Sequence, residues 1–107
     1  MVRRGDVHWA NPPKIGKYRF LIVQDDSFNR KFAEVLAVPI VSVKREEIHS
    51  WEVEVPEETF PEPSIVNCSA IVLIEKSDLG DFVTSLDEKT MQGVDYALSI
   101  ALGLQDW

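Results

Sequence analysis

The sequence of 107 residues has little cysteine and no long apolar segment. Its single cysteine, Cys68, cannot form a disulfide within the chain, and no cysteines and histidines have the spacing of a zinc site. No apolar run is long enough to cross a bilayer, and none follows the basic N-terminal residues as in a signal peptide. The sequence therefore predicts a cytoplasmic protein that uses neither membrane nor metal nor other cofactor.

The length of the chain limits its organisation. A mass of 12.2 kDa and an apolar content of 45% are ordinary for one globular unit. No internal repeat or low-complexity run is present. We therefore expect residues 1–107 to form a single domain.

Negative charge dominates, but it is unevenly distributed. The net charge is −7, which disfavours binding to nucleic acid if it is spread evenly. Residues 1–45 carry nine lysines and arginines against four acids, a balance of +5, whereas residues 46–107 carry two lysines against fourteen acids, a balance of −12. This asymmetry indicates a basic working face on an acidic protein. The alternative is that the fold mixes the two halves in space.

The first two thirds of the chain have the pattern of short strands. These segments are rich in valine, isoleucine and aromatic residues and are bounded by Gly, Pro, Asn or Asp. Residues 56–63 contain three prolines and three acids and are predicted to form a surface loop. The predicted strands are residues 6–10, 19–24, 34–42, 48–55, one or two strands within 64–74, and a short segment near 81–86.

After residue 86 the spacing of apolar residues changes from that of a strand to that of a helix. Asp87 is placed as a helix N-cap and Gly103 as the stop signal. The residues predicted to form the buried face of this helix are Met91, Val94, Leu98, Ala101 and Leu102. A chain this short buries one face of a sheet most easily by curling the sheet around a core. We therefore expect a mainly β fold, a small SH3-like antiparallel barrel with a C-terminal α-helix.

Four blocks, in order, resemble the MazF/PemK-type toxins. They are residues 4–11 (RGDVHWAN), 16–26 (GKYRFLIVQDD), 35–42 (VLAVPIVS) and 85–104, which match the opening strand, second strand, third strand and closing helix of that family. The resemblance implies a toxin of a toxin-antitoxin pair that cleaves single-stranded RNA at short sequences without a metal. It also implies an antitoxin partner and a homodimer.

In that family an arginine before the second strand and a threonine or serine after the third serve the reaction. With the chain aligned on Gln24, Tyr18 stands at the arginine position and Arg19 one residue later, while Val41 stands at the hydroxyl position and Ser42 one residue later. Because side chains alternate along a strand, a one-residue offset changes the face unless a bulge absorbs it. We predict Arg19 and Ser42 as the catalytic residues. The alternatives are a solvated strand-end charge and a serine that bonds its own turn.

Four further residues are candidates for RNA binding. Lys14 and Lys17 lie beside a Pro-Pro turn and could contact phosphates, or could be solvated loop lysines. Lys44 follows the third strand. Tyr18 could stack on a base or pack on the barrel.

A second function stays open at this point. The altered positions are also compatible with a catalytically impaired toxin, or a relative of the CcdB gyrase poisons, that acts by binding RNA, DNA gyrase or an antitoxin.

Overall fold

The computed structural model describes residues 1–105. Most of the ordered backbone lies in antiparallel strands, which pair into one sheet. The strands are β1 (Asp6–Ala10), β2 (Tyr18–Ile22), β3 (Glu34–Ser42), β4 (Glu52–Glu54), β5 (Ser64–Asn67), β6 (Val72–Glu75) and β7 (Phe82–Ser85), and the helices are α1 (Asp26–Lys31) and α2 (Glu88–Ala101), with a 3-10 turn at Lys76–Asp78.

Strand β3 is the centre of the sheet. One edge pairs with β2, and the other edge is shared by β6 along Glu34–Ala37 and β5 along Ile40–Ser42. The path of paired strands runs β4-β5-β3-β2-β1-β7, with β6 as a branch on β3. The long apolar strand β3 thus pairs directly with three others, β2, β5 and β6.

The sheet buries side chains on both of its faces, because alternate residues of a strand point in opposite directions. One cluster includes Val7, Leu21 and Val38, all completely buried, and α2 covers it. The other includes Phe20 and Ile22, also completely buried. Cys68 belongs to the first cluster, and its burial raises the pKa of the thiol to about 12. The single cysteine is therefore a small apolar core residue.

The two ends of α2 are those the sequence predicts. The Asp87 carboxylate accepts a hydrogen bond of 2.7 Å from the Thr90 backbone N–H. The Thr90 side chain, and then this backbone bond, hold the pKa of Asp87 below its usual range. Gly103 has φ +74°, a left-handed conformation that favours glycine at a helix end. The predicted apolar face is partly wrong, because Ala101 and Leu102 at the end of the helix are exposed, Leu102 to 58%. The residues that α2 buries are Thr90, Val94, Ala97 and Ile100.

Two other sequence predictions need correction. The predicted strand over residues 48–55 is ordered as a strand only at Glu52–Glu54, because turns occupy the residues before it. Helix α1 was not predicted, since six residues are too few for a periodic signal. It is held by Gln24, whose carbonyl accepts from Asn29 Nδ2 at 2.9 Å while its own Nε2 donates to Asn29 Oδ1 at 3.0 Å.

The predicted fold class is confirmed: a mainly β protein of short antiparallel strands with one C-terminal helix. The strand path does not close on itself within the part of the chain that the structure describes, because β4 and β7, at its two ends, do not pair with each other. Residues 56–63 form the predicted loop, which joins β4 to β5. In residues 1–105 no helix is long and apolar enough to span a membrane.

Candidate active site

Arg19 and Ser42 project from the same face of the β2–β3 ladder. Arg19 pairs with Ile40, and Ser42 lies two residues beyond Ile40 on the same strand. The register runs from Arg19 to Ile22 without a shift, so no bulge absorbs the one-residue offset. Both residues are offset in the same sense, and alternation therefore keeps them together. Tyr18 and Val41, at the positions where the family keeps its arginine and hydroxyl residue, point to the opposite face.

A carboxylate from the β4–β5 loop joins the two predicted residues. Glu62 Oε1 accepts a hydrogen bond of 2.6 Å from Arg19 Nη1 and one of 3.1 Å from Ser42 Oγ. The first contact is also an ion pair. Two donors from neighbouring strands thus converge on a single anionic oxygen at the sheet surface, which is the arrangement that a phosphate oxygen requires.

Aromatic rings hold the Arg19 guanidinium in place. Its central carbon lies 4.7 Å from the centroid of Trp9 and 4.6 Å from that of Phe60. The Arg19 side chain is only 14% exposed, and its buried Nε has no hydrogen-bond partner. Cation–π contacts with these two rings restrict the guanidinium and so help to orient its donors. Arg19 is therefore a positioned cation, whereas the sequence alone also allowed a freely solvated strand-end charge.

The loop that carries Glu62 is anchored at both ends. Phe60 is 5% exposed and belongs to the α2-covered core. The Ser64 hydroxyl donates to the Glu62 carbonyl at 3.0 Å, and the Val55 N–H donates to the Ser64 carbonyl at 3.0 Å. Pro61 and Pro63 flank Glu62 and restrict its backbone. The carboxylate is therefore held at the site by the loop structure itself.

The Glu62 carboxylate is charged at neutral pH. Its pKa lies below its usual range, chiefly because Arg19 donates a hydrogen bond to it, and the Ser42 hydroxyl and the charge of Arg19 add to this effect. The side chain is 39% exposed, so water screens part of the interaction. The site at rest therefore pairs one cation with one anion.

The structure brings only some of the predicted RNA-binding residues to this site. Lys17 Nζ lies 5.4 Å from the Trp9 ring centroid, on the same indole that Arg19 contacts. Trp9 and Lys17 also line an open cleft of about 600 Å³. Lys14 lies in the preceding turn with φ +69°. Lys44 instead lines a different cavity of about 510 Å³, beside β4, β5 and α2.

Tyr18 packs on the protein. Its ring makes an edge-to-face contact with Phe20 at 6.2 Å, and the residue is 36% exposed. Because it lies on the face opposite Arg19, the structure does not bring it to the Arg19–Ser42 pair. The main contact of Tyr18 is therefore packing on the protein, one of the two interpretations that the sequence allowed.

The charge asymmetry of the sequence is partly cancelled in space. The ion pairs formed by the described residues each join a base from residues 1–45 to an acid from residues 46–105, namely Arg4–Asp95, Arg19–Glu62 and Arg45–Glu52. The fold therefore mixes the basic and acidic halves of the chain in space, and it does not gather the basic residues on one separate face. Lysines of the β1–β2 loop remain outside these pairs.

The sequence analysis missed Glu62 and Phe60. Both lie in a segment whose composition signals only a surface loop, and nothing in its pattern gives the direction in which the loop folds back. A buried aromatic residue within a proline-rich acidic loop is the one sequence feature that could have indicated anchoring to the core. In residues 1–105, no group of three or more His, Cys, Asp or Glu side chains is arranged to hold a metal ion.

The chain is similar to known proteins over nearly its whole length. Endoribonuclease EndoA of Bacillus subtilis is 30% identical, and the match covers 100% of this chain and 99% of that protein. Endoribonuclease MazF2 of Mycobacterium bovis is 33% identical over 97% of this chain and 99% of that protein. A solved mycobacterial endoribonuclease in complex with its cognate antitoxin superposes with a TM-score of 0.87 at 29% identity, and both chains are covered completely.

The family profile gives the same result. The profile described as the PemK-like, MazF-like toxin of type II toxin-antitoxin systems matches residues 3–102, which include every strand and the whole of α2. The chain belongs to this toxin family.

Proposed function

We propose that this protein is the toxin of a toxin-antitoxin pair and a sequence-specific endoribonuclease that cleaves single-stranded RNA without a metal, by attack of the ribose 2′-OH on the adjacent phosphate. Its relatives carry the name endoribonuclease at 30% identity and above over almost their full length. The observation that carries the proposal is the convergence of Arg19 and Ser42 on one anionic oxygen.

Each of the two residues has a part in this reaction. Charge builds on the phosphate oxygens as the 2′-oxygen attacks, and preorganised donors aimed at those oxygens lower the barrier. Arg19, held between Trp9 and Phe60, supplies a fixed cation, and Ser42 supplies a hydroxyl donor from the next strand. When RNA binds, a phosphate oxygen takes the position that Glu62 Oε1 has at rest.

RNA binding extends from this pair over the neighbouring surface. Lys17 and Lys14, on the β1–β2 loop next to Trp9, contact flanking phosphates, and Lys44 contacts the backbone further along. Tyr18 offers its exposed ring to a base at the edge of the sheet. Lys44 and Tyr18 lie away from the Arg19–Ser42 pair, since Lys44 lines a separate cavity and Tyr18 lies on the other face.

Two protein partners belong to the proposal. One is a cognate antitoxin, as in the mycobacterial complex that this chain resembles. The other is a second copy of the chain. Leu36 and Leu73 are cross-strand neighbours, 39% and 57% exposed, and such apolar surface supports self-association. A single toxin domain spanning residues 1–107 and a cytoplasmic location are also part of this proposal.

Cleavage is tested directly with purified protein. Incubation with a mixed-sequence RNA in EDTA is expected to give fragments that end in 2′,3′-cyclic phosphate. The control is the same RNA with 2′-deoxy substitution, which lacks the nucleophile. Intact RNA at large protein excess would overturn the proposal in favour of a protein that only binds RNA, gyrase or antitoxin.

Self-association is tested by sedimentation equilibrium at micromolar concentration. The expected mass is twice the 12.2 kDa of the chain. Replacing Leu73 with a charged residue should shift the protein toward monomer if the exposed pair lies in the contact. A wild-type monomer at that concentration would contradict the homodimer.

A further inference from the structure

Cleavage by the 2′-OH requires a group that accepts its proton, and neither predicted catalytic residue can serve. The Arg19 guanidinium stays protonated at all relevant pH values, and the Ser42 hydroxyl is a very weak base. In residues 1–105 the one carboxylate that contacts both side chains is Glu62.

The position of Glu62 suits proton transfer. Both of its side-chain hydrogen bonds end on Oε1, so Oε2 has no side-chain donor among the described residues. The residue is 39% exposed, and Ser42 beside it is exposed as well. A surface carboxylate beside the two side chains that bind the phosphate can approach the ribose hydroxyl of an RNA strand that binds there.

We propose that Glu62 is the general base of the cleavage reaction; this inference rests on the proposed endoribonuclease function. The 2′-O–H bond breaks and its proton passes to the Glu62 carboxylate as the 2′-oxygen forms a bond to phosphorus. The P–O5′ bond breaks, and the 5′-oxygen takes a proton from water. The hydroxide left behind then removes the proton from Glu62, which restores the carboxylate.

Arg19 sets the protonation state of the base. It is the charged group that faces Glu62, from β2, while Ser42 faces it from β3 and Ser64 holds its backbone. The lowered pKa of Glu62 keeps the carboxylate ready to accept a proton at neutral pH, at some cost in basicity. When a phosphate engages Arg19 and Ser42, the carboxylate is released from those donors, and it becomes a stronger base next to the ribose.

An opposite role is conceivable, and the two roles predict opposite results. If the carboxylate only occupies the phosphate position, removing its charge speeds cleavage. If it is the base, removing its charge stops cleavage. Glu62→Gln is suited to this choice because it retains an oxygen that accepts from Arg19 and Ser42. Glu58→Gln is the matched control, since Glu58 lies in the same loop, is exposed and loses the same charge.

The experiment compares single-turnover cleavage of a defined RNA by the wild type, Glu62→Gln, Glu62→Asp and Glu58→Gln. Glu62→Gln is expected to lower the rate at saturating RNA on the order of 100-fold or more, as loss of a general base does, with KM changed less than about threefold. Glu62→Asp should recover part of the loss, and Glu58→Gln should match the wild type. A rate for Glu62→Gln equal to or above wild type overturns the proposal.

Two further measurements separate this inference from a structural role and from the proposed function. At saturating RNA the wild-type rate should have an acid limb in the ordinary glutamate range, roughly pH 4, because the bound phosphate has released the carboxylate from Arg19 and Ser42, and Glu62→Gln should lose that limb. Affinity for RNA with a 2′-deoxy cleavage site should be at least as high in Glu62→Gln, because the phosphate no longer competes with a charged carboxylate for Arg19. Loss of the limb without a loss of affinity identifies the base, whereas an unchanged limb overturns it. If the wild type itself leaves RNA intact, the proposed function fails, and the role of Glu62 fails with it.

Discussion

The two faces of the β2–β3 ladder carry different chemistry although they are built from adjacent residues. One face presents Arg19 and Ser42, joined through Glu62 and flanked by Trp9. The opposite face presents Tyr18, whose ring packs edge-on against Phe20. The first face holds a positioned cation, a hydroxyl and a carboxylate, whereas the second holds apolar and aromatic side chains.

This difference shows what a one-residue offset means in a strand pair. In the sequence alignment on Gln24, the arginine and the hydroxyl residue are each one step late, and strand alternation places Arg19 and Ser42 on one face. A single offset would have separated the two groups on opposite sides of the sheet. Two matched offsets keep Arg19 and Ser42 together, and the loop between β4 and β5 contacts both residues on that face.

The largest effect is expected from Arg19→Ala. Loss of the fixed cation should lower cleavage on the order of 100-fold or more, as loss of one preorganised donor to a developing oxyanion does. RNA affinity should fall much less, because one phosphate contact among several carries a small share of binding. Cleavage kinetics and filter binding on the same RNA measure the two quantities.

Arg19→Lys is the matched control for charge. It keeps the cation but loses the planar group that contacts the Trp9 and Phe60 rings, so we expect most of the activity to be lost as well. Thermal melting checks that both variants fold. Arg19→Ala cleavage within about threefold of wild type would move the active site to the other face.

A smaller effect is expected from Ser42→Ala. The hydroxyl is exposed and contributes one neutral donor, so its loss should slow cleavage on the order of tenfold, the range of a single uncharged hydrogen bond. Ser42→Thr, which keeps the hydroxyl, should restore most of the rate. An inactive threonine variant that is folded would indicate that steric fit at the end of β3 matters more than the donor.

Lys17→Ala tests how far the first face extends. Because Lys17 shares the Trp9 ring with Arg19, its removal should weaken RNA binding modestly and reduce the slope of log affinity against log salt by about 1, with the cleavage step unchanged. Lys44→Ala, at the separate cavity, should reduce the slope as well, because Lys44 is proposed to contact the RNA backbone there. If the salt slope of Lys17→Ala equalled that of the wild type, RNA would bind away from Lys17.

The smallest effect is expected from Tyr18→Phe. This change removes only the hydroxyl and preserves the packing on Phe20, so cleavage should stay within about threefold of wild type. If Tyr18→Phe abolished cleavage and Arg19→Ala kept normal activity, the active site would lie on the Tyr18 face of the sheet. Tyr18 is the residue at the family's arginine position in the alignment on Gln24.

Much of the fold could be predicted from local signals. Strands β1 and β3 have the predicted ends, because Gly, Pro and polar residues bound their apolar runs. Helix α2 begins after Asp87 and ends before Gly103 because the cap residues favour those ends locally. Residues 48–51 were predicted as strand and form turns, since alternation of polar and apolar residues does not by itself provide a pairing partner.

The sequence by itself determined the family, the two catalytic candidates and the fold class, because these depend on residue order and on periods of two and 3.6 residues. Only the tertiary structure decided that Arg19 and Ser42 share a face, since this needs the register of two strands whose paired residues, Arg19 and Ile40, are far apart in the chain. The same holds for Glu62, whose loop position depends on burial of Phe60 in a core built from the whole sheet. Long-range packing, which local sequence does not encode, thus completed the site.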